Sequence, residues 1–192
     1  MRQAKKSRQT KETTITLTLN LDGNQNITIN TGIAFFDHML TAFAYYAGID
    51  LTIEANGDIE VDDHHTVEDV GIVLGQALKE ALNDKKGITR FASNFTPMDE
   101  SLARTTLDIS NRATLVYNAS FTRDMIGSLS LENIREFFYA LAMNAGMTLH
   151  IDVLYGSNDH HKAEAIFKGV GRAIKDAVQV TSDTIRSTKG SL

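Results

Sequence analysis

One short pattern occurs twice in this chain and restricts what the chain can become. Asp62-Asp63-His64-His65-Thr66-Val67-Glu68-Asp69 returns as Asn158-Asp159-His160-His161-Lys162-Ala163-Glu164-Ala165. Each copy has an acidic or amide pair, two adjacent histidines, and a glutamate three residues after the second histidine. Each opens a helical pattern, carried by Val70, Leu74 and Leu78 in the first copy and by Ile166, Val170 and Ile174 in the second. Four of the six histidines lie in these copies. Positions four apart share a helix face, so His64 and Glu68 can grip one ion, as can His160 and Glu164. His65 and His161 point about 100° around the helix and suit a second ion or a supporting role. Nitrogen and carboxylate donors without thiolate favour manganese, iron, zinc or nickel. The spacing therefore predicts that each copy supplies half of a metal site.

A longer order repeats around the motifs. Ile15, Leu17, Leu19 and Leu21 alternate with polar residues and predict a half-buried strand over 12–21. Asp22-Gly23-Asn24 reads as a turn returning the chain as a second strand over 26–30. A helix over 33–47 closes on Gly48. A strand over 49–55, a turn at Asn56-Gly57-Asp58 and a short strand over 59–61 lead into the first histidine helix, which runs to about Asn83. In the second half, strands over 88–95 and 101–109 flank a turn at Pro97, the one proline, and another strand covers 112–119. Ser130 is placed to cap a helix over 131–145, closed by Gly146. A strand over 147–154, the turn Tyr155-Gly156-Ser157 and the second histidine helix, to about Val180, complete the half. The opening residues read as a basic, polar lead-in, and 181–192 as a polar tail.

Aligning Ala47-Gly48 on Ala145-Gly146, an offset of 98, places His38 on Glu136. Each lies beside phenylalanines on an otherwise apolar helix, so the pair joins the candidate ligands. The set is then His38, His64, His65 and Glu68 from one half, and Glu136, His160, His161 and Glu164 from the other. Two roughly octahedral ions would fit, with positions left for water or substrate. His150 has no first-half counterpart and reads as a hydrogen-bonded structural histidine.

Charge and composition exclude other classes. The formal net charge is −5, with no large basic patch beyond the first dozen residues, which argues against nucleic acid as a partner. There is no cysteine, hence no disulfide, and this suits a reducing compartment. No stretch has the length and apolarity of a membrane span, and the start has no secretory pattern. The cytoplasm is the expected location.

The chain resembles the imidazoleglycerol-phosphate dehydratase family of histidine biosynthesis. The resemblance rests on Phe36-Asp37-His38-Met39-Leu40, Asp63-His64-His65-Thr66-Val67-Glu68-Asp69 and Pro97-Met98-Asp99-Glu100. It continues through Met147-Thr148-Leu149-His150, His160-His161-Lys162-Ala163-Glu164, Phe167-Lys168 and Ser187-Thr188-Lys189-Gly190, in order over nearly the whole chain. Where many members carry histidine before the paired phenylalanines, this chain has Glu136.

The resemblance implies an α/β (α+β) fold, an internally duplicated relative of the second domain of ribosomal protein S5. Each of two half-domains would have a β-sheet and two helices. One domain would span 1–192, with pseudo-repeats over about 12–87 and 88–180 and a substrate-covering tail over 181–192. The resemblance further implies two Mn²⁺ ions per active site and a 24-subunit assembly with octahedral symmetry and sites between subunits. The implied reaction converts D-erythro-1-(imidazol-4-yl)glycerol 3-phosphate to 3-(imidazol-4-yl)-2-oxopropyl phosphate and water, through a metal-bound imidazolate. Glu12 would take the carbon-bound proton. Arg90, Arg112, Lys168, Ser187 and Lys189 would hold the phosphate, and His38, His64, Glu68 and His160 would also touch the substrate. Lys168 lies four residues beyond Glu164 and so shares its helix face. Three other readings compete: a dinuclear metallohydrolase acting on a phosphate ester, a metal store without catalysis, and an RNA-binding module suggested by fold alone.

Overall fold

The computed structural model describes residues 2–192. The first half contains β1 (Gln3–Gln9), β2 (Thr13–Asn20), β3 (Ile27–Asn30), α1 (Ala34–Ala47), β4 (Asp50–Gly57) and α2 (His64–Leu82). The second contains β5 (Phe91–Met98), β6 (Ser101–Asp108), β7 (Thr114–Asn118), a small hairpin of β8 (Met125–Ile126) and β9 (Leu129–Ser130), then α3 (Asn133–Ala145), β10 (Thr148–Tyr155) and α4 (Asp159–Ala177). Two four-stranded sheets result, β1-β2-β4-β3 and β5-β6-β10-β7. In each, the last pair is parallel and the others antiparallel. The internal duplication is thus a property of the fold.

Period-two alternation builds the sheets. β2 buries Thr13, Ile15, Leu17 and Leu19 and exposes the threonines between them, so one face packs and the other meets water. α2 covers β1, β2 and β4, and α4 covers β5 and β6. The remaining helices cross over: α1 packs on α4, and α3 on α2. Glycines permit the close approach. A Cβ at Gly171 would sit 2.3 Å from the Phe43 carbonyl oxygen, and one at Gly75 would sit 2.7 Å from that of Leu141. Phe36, Phe137 and Phe167 join three of the helices at the centre, with the Phe137 and Phe167 rings stacked 5.4 Å apart. Among the described residues, no helix is long and apolar enough to cross a membrane.

Several boundaries differ from the sequence reading. Gln3–Gln9 is an edge strand paired with β2, not a lead-in. Only Ala4 of it is buried, so no apolar alternation announces it, and its lysines suit an exposed edge. Residues 26–30 do not form a hairpin with β2. β4 lies between the two strands, and β3 pairs with it in parallel through the α1 crossover. Residues 59–61 form a turn rather than a strand, and β4 runs through to Gly57. Pro97 lies within β5, and the turn falls at Asp99-Glu100. Ser130 does not cap α3, which begins at Asn133; its hydroxyl donates to Asp63 instead.

Candidate active site

The acidic or amide pair before each histidine pair does two jobs. Its first member caps the helix: Asp62 Oδ1 accepts from the His64 amide at 2.7 Å, and Asn158 Oδ1 from the His160 amide at 2.9 Å. Its second member is buried and anchors the helix start to the segment between β7 and α3. Asp63 accepts from the Ser130 amide and hydroxyl at 2.7 Å. Asp159 accepts from the Thr122 amide and hydroxyl and the Arg123 amide at 2.8 Å, and pairs with Lys162 at 2.8 Å. Burial opposes the Asp159 charge, but Lys162 and these donors outweigh it and hold the carboxyl below its usual range.

Three candidate ligands converge. One donor atom each from His38, His160 and Glu164 lie within 4.8 Å of one another. His160 Nε2 is 3.2 Å from Glu164 Oε2, and His38 Nε2 is 3.7 Å from the same oxygen. The cluster crosses the repeat because α1 packs on α4. Burial raises the Glu164 pKa, but Lys168, whose Nζ lies 2.6 Å from Oε1, together with His38 and His160, makes the net shift downward. An anionic carboxylate and two imidazoles suit a first-row divalent cation with positions to spare. Bonds of about 2.0–2.2 Å put ligand atoms about 3–4.4 Å apart on one ion, so small side-chain adjustments close the set.

The corresponding place between α2 and α3 is looser. His64 Nε2 lies 3.7 Å from Glu68 Oε2, and His64 Nδ1 is 3.0 Å from Asn133 Oδ1. Glu136 pairs with Arg135 at 2.7 Å, and among the described residues it joins no three-ligand cluster. The second histidines point elsewhere, as the helical spacing predicts. His65 Nδ1 sits 3.1 Å from Asp58, with Nε2 3.8 Å from Glu12. His161 Nδ1 sits 2.7 Å from Glu100, with Nε2 3.8 Å from Asp99. Hydrogen bonds to the Asp58 and Glu100 carboxylates raise both histidine pKa values. The His161 bond, with those from Asn158 and Ser157, holds Glu100 far below the usual carboxylate range. Sequence reasoning had not singled out Asp58, Glu100 or Asn133 for a role. Glu100 stood within a quoted motif and Asp58 within a predicted turn, but nothing local ties either to a histidine.

Glu12 lies exposed in the turn between β1 and β2, and among the described residues its carboxylate accepts no hydrogen bond. Arg90 and Arg112 meet on Asp108: Arg90 Nε donates to Oδ1 at 2.7 Å, and Arg112 Nη2 to Oδ2 at 3.3 Å. Arg90 Nη1 also donates to the Arg186 carbonyl at 2.6 Å, which fixes the root of the tail carrying Ser187 and Lys189. The Ser187 hydroxyl accepts from the Lys189 amide at 3.2 Å. Lys168 is not with them; it sits beside Glu164. The Arg90 amide donates to the Ala177 carbonyl, at the opposite end of α4 from His160. At 1.5 Å per residue those ends are about 25 Å apart. His150 is paired through its backbone with β6 and β7, but its ring faces outward, exposed, and among the described residues makes no side-chain hydrogen bond, contrary to the structural role read for it. β10 alternates, and His150 falls on the solvent side.

Fold and site together define a duplicated α/β protein with a two-imidazole, one-carboxylate cluster at a seam between its halves and a guanidinium pair at a distance. The profile of the imidazoleglycerol-phosphate dehydratase family matches residues 31–174, and the chain belongs to that family. Curated relatives named imidazoleglycerol-phosphate dehydratase include those of Streptococcus thermophilus and Azorhizobium caulinodans. Both are 54% identical over all of this chain and cover 100% and 99% of their own. The crystal structure of imidazoleglycerol-phosphate dehydratase from Staphylococcus aureus is 42% identical, covering 93% of this chain and 99% of that one, with TM-score 0.85. The Pyrococcus furiosus structure, in complex with (S)-C348, is 39% identical, covers 97% and 100%, and has TM-score 0.84. The chain is accordingly a dehydratase of this type, acting in histidine biosynthesis.

Proposed function

We propose that this chain removes water from D-erythro-1-(imidazol-4-yl)glycerol 3-phosphate to give 3-(imidazol-4-yl)-2-oxopropyl phosphate, with two Mn²⁺ ions in each active site. The observation that carries this reading is the convergence of His38, His160 and Glu164 across the repeat seam. These three residues, with His64, His65, Glu68, Glu136 and His161, are the ligands we assign. Bound manganese would supply Lewis acidity toward the imidazole ring and the departing hydroxyl, and would hold the substrate in register.

The chain's own groups do the rest. Among the described residues the Glu12 carboxylate accepts no hydrogen bond; it lies 3.8 Å from His65 Nε2, and it takes the carbon-bound proton. Lys168 holds Glu164 anionic and presents a point charge to the phosphate. Arg90 and Arg112, aligned by Asp108, offer paired N–H donors suited to phosphate, and Ser187 and Lys189 close over it from the tail. The roughly 25 Å along α4 between Ala177, where the Arg90 backbone is held, and His160 exceeds the length of the substrate. This supports active sites completed between copies, in the 24-subunit assembly that the family resemblance implies. The charged phosphate ester does not cross membranes, so we place the enzyme in the cytoplasm, where such esters are made.

Glu12→Gln with metal analysis tests the assignment. Manganese content should stay at the parent level while turnover disappears. Normal turnover would remove Glu12 from the mechanism. A phosphate-ester hydrolase would release inorganic phosphate, whereas this reaction gives an enolisable ketone that absorbs in alkali.

A further inference from the structure

The two halves hold one equivalent turn with different residues. Ile15 faces Ala55 in the first sheet, and Ala103 faces Val153 in the second. That register makes Glu12 and Glu100 equivalent, each directly before its strand. Glu100 is fully engaged. Its Oε1 accepts from the Ser157 amide and hydroxyl and the Asn158 amide, and its Oε2 meets His161 Nδ1 at 2.7 Å. These bonds pin the turn and orient the histidine at once.

In the first half the same tasks are divided. Asp58 takes His65 Nδ1. Asp69, only 5% exposed, takes the turn: its Oδ2 accepts from the Thr13 hydroxyl at 2.5 Å. The Thr13 hydroxyl lies 3.3 Å from that of Thr10, which accepts from the amides of Glu12 and Thr13 at 3.0 Å. Glu12 is thereby left with a spare carboxylate. At the place of Asp69 the second motif has Ala165, where no such anchor is needed because Glu100 does the work.

We infer that Asp69 is a positioning residue. Through Thr13 and Thr10 it fixes where Glu12 points relative to α2, and it relieves Glu12 of the anchoring duty that occupies Glu100. The inference rests on the reading of Glu12 as proton acceptor. A general base acts only within hydrogen-bond reach of its proton, and a displacement of about 1 Å costs on the order of a hundredfold in rate.

Asp69 has a second arm, because its Oδ1 accepts from Arg8 Nε of β1 at 2.8 Å. The two arms provide the control. In the assembled, manganese-loaded enzyme, Thr13→Val and Asp69→Asn should each lower kcat about 10- to 100-fold, with KM and manganese content unchanged. Thr13→Ser should restore kcat. Arg8→Gln, which cuts only the β1 arm, should keep kcat within about twofold of the parent. The inference falls if Thr13→Val keeps full kcat, or if Arg8→Gln loses as much kcat as Thr13→Val, since Asp69 would then only anchor β1. Glu12→Gln is measured in parallel. An inactive Glu12→Gln beside a fully active Thr13→Val defeats the positioning role alone, and an active Glu12→Gln defeats the base assignment itself.

Discussion

At the α1–α4 seam, Gly171 lets the helices close until the Phe43 carbonyl fills the place of a side chain, and His38 reaches His160 and Glu164. At the α2–α3 seam, Gly75 packs against the Leu141 carbonyl in the same way. There, however, Glu136 turns to Arg135 and His64 to Asn133. The backbone contact is common to both seams, so it belongs to the repeated fold. The three-donor cluster is not, and it depends on one residue: the position that is histidine in α1 is glutamate in α3. Two imidazoles can gather about a single anionic carboxylate. Two carboxylates beside one imidazole repel each other unless a cation lies between them, and Arg135 meets part of that need.

That difference can be broken experimentally. The largest effect is expected at the tight seam: His160→Ala should abolish turnover and lose the ion held by the α1–α4 cluster, read by manganese analysis of purified protein. Gly171→Ala should come next. Forcing a Cβ against a backbone carbonyl costs about 1–3 kcal/mol, and the same substitution at Gly75 should destabilise comparably in denaturant melts. Gly171→Ala alone should also weaken manganese binding, by moving His38 away from Glu164. Glu136→Gln should reduce manganese affinity by about tenfold or less, below the effect of Glu164→Gln, and a titration of each variant checks the order. Removing residues 187–192 should raise KM and leave the ion count intact.

The smallest expected effect concerns pH. His65 and His161 have pKa values raised above 6.5 by Asp58 and Glu100. Their protonated pairing therefore supports the metal-free fold fully below 6.5 and is lost as pH rises through the higher folded values. Glu100 is depressed from 4.5, so its contribution is present above 4.5 and lost as pH falls through its lowered value. The Tm of metal-free protein should decline as pH rises above 6.5, and Glu100→Gln should flatten that decline.

Much of this was legible in the residues. The doubled histidine motif, with its helical spacing, placed His64 beside Glu68 and His160 beside Glu164, and it turned His65 and His161 aside. Alternation marks β2 and β7, and the local strand pattern places β4, β6 and β10, all to within a few residues. What could not be read depends on contacts between distant segments. β1 buries one small side chain and is held by backbone pairing, so its composition carries no strand signal. The pairing of His38 with the other half's motif follows from helix crossover, which no local pattern encodes. Asp58, Asp69 and Glu100 act through partners in other segments and look like ordinary surface acids until those partners are placed.

If the twin histidine helices hold divalent ions on which dehydration depends, activity must follow metal content. The direct test strips the assembled protein of metal, then restores Mn²⁺ stepwise while bound ions and ketone formation are counted together. Turnover should vanish without metal and return in proportion to ions bound, saturating at two per active site. Full turnover in metal-free protein, or saturation with no ion retained, would contradict it.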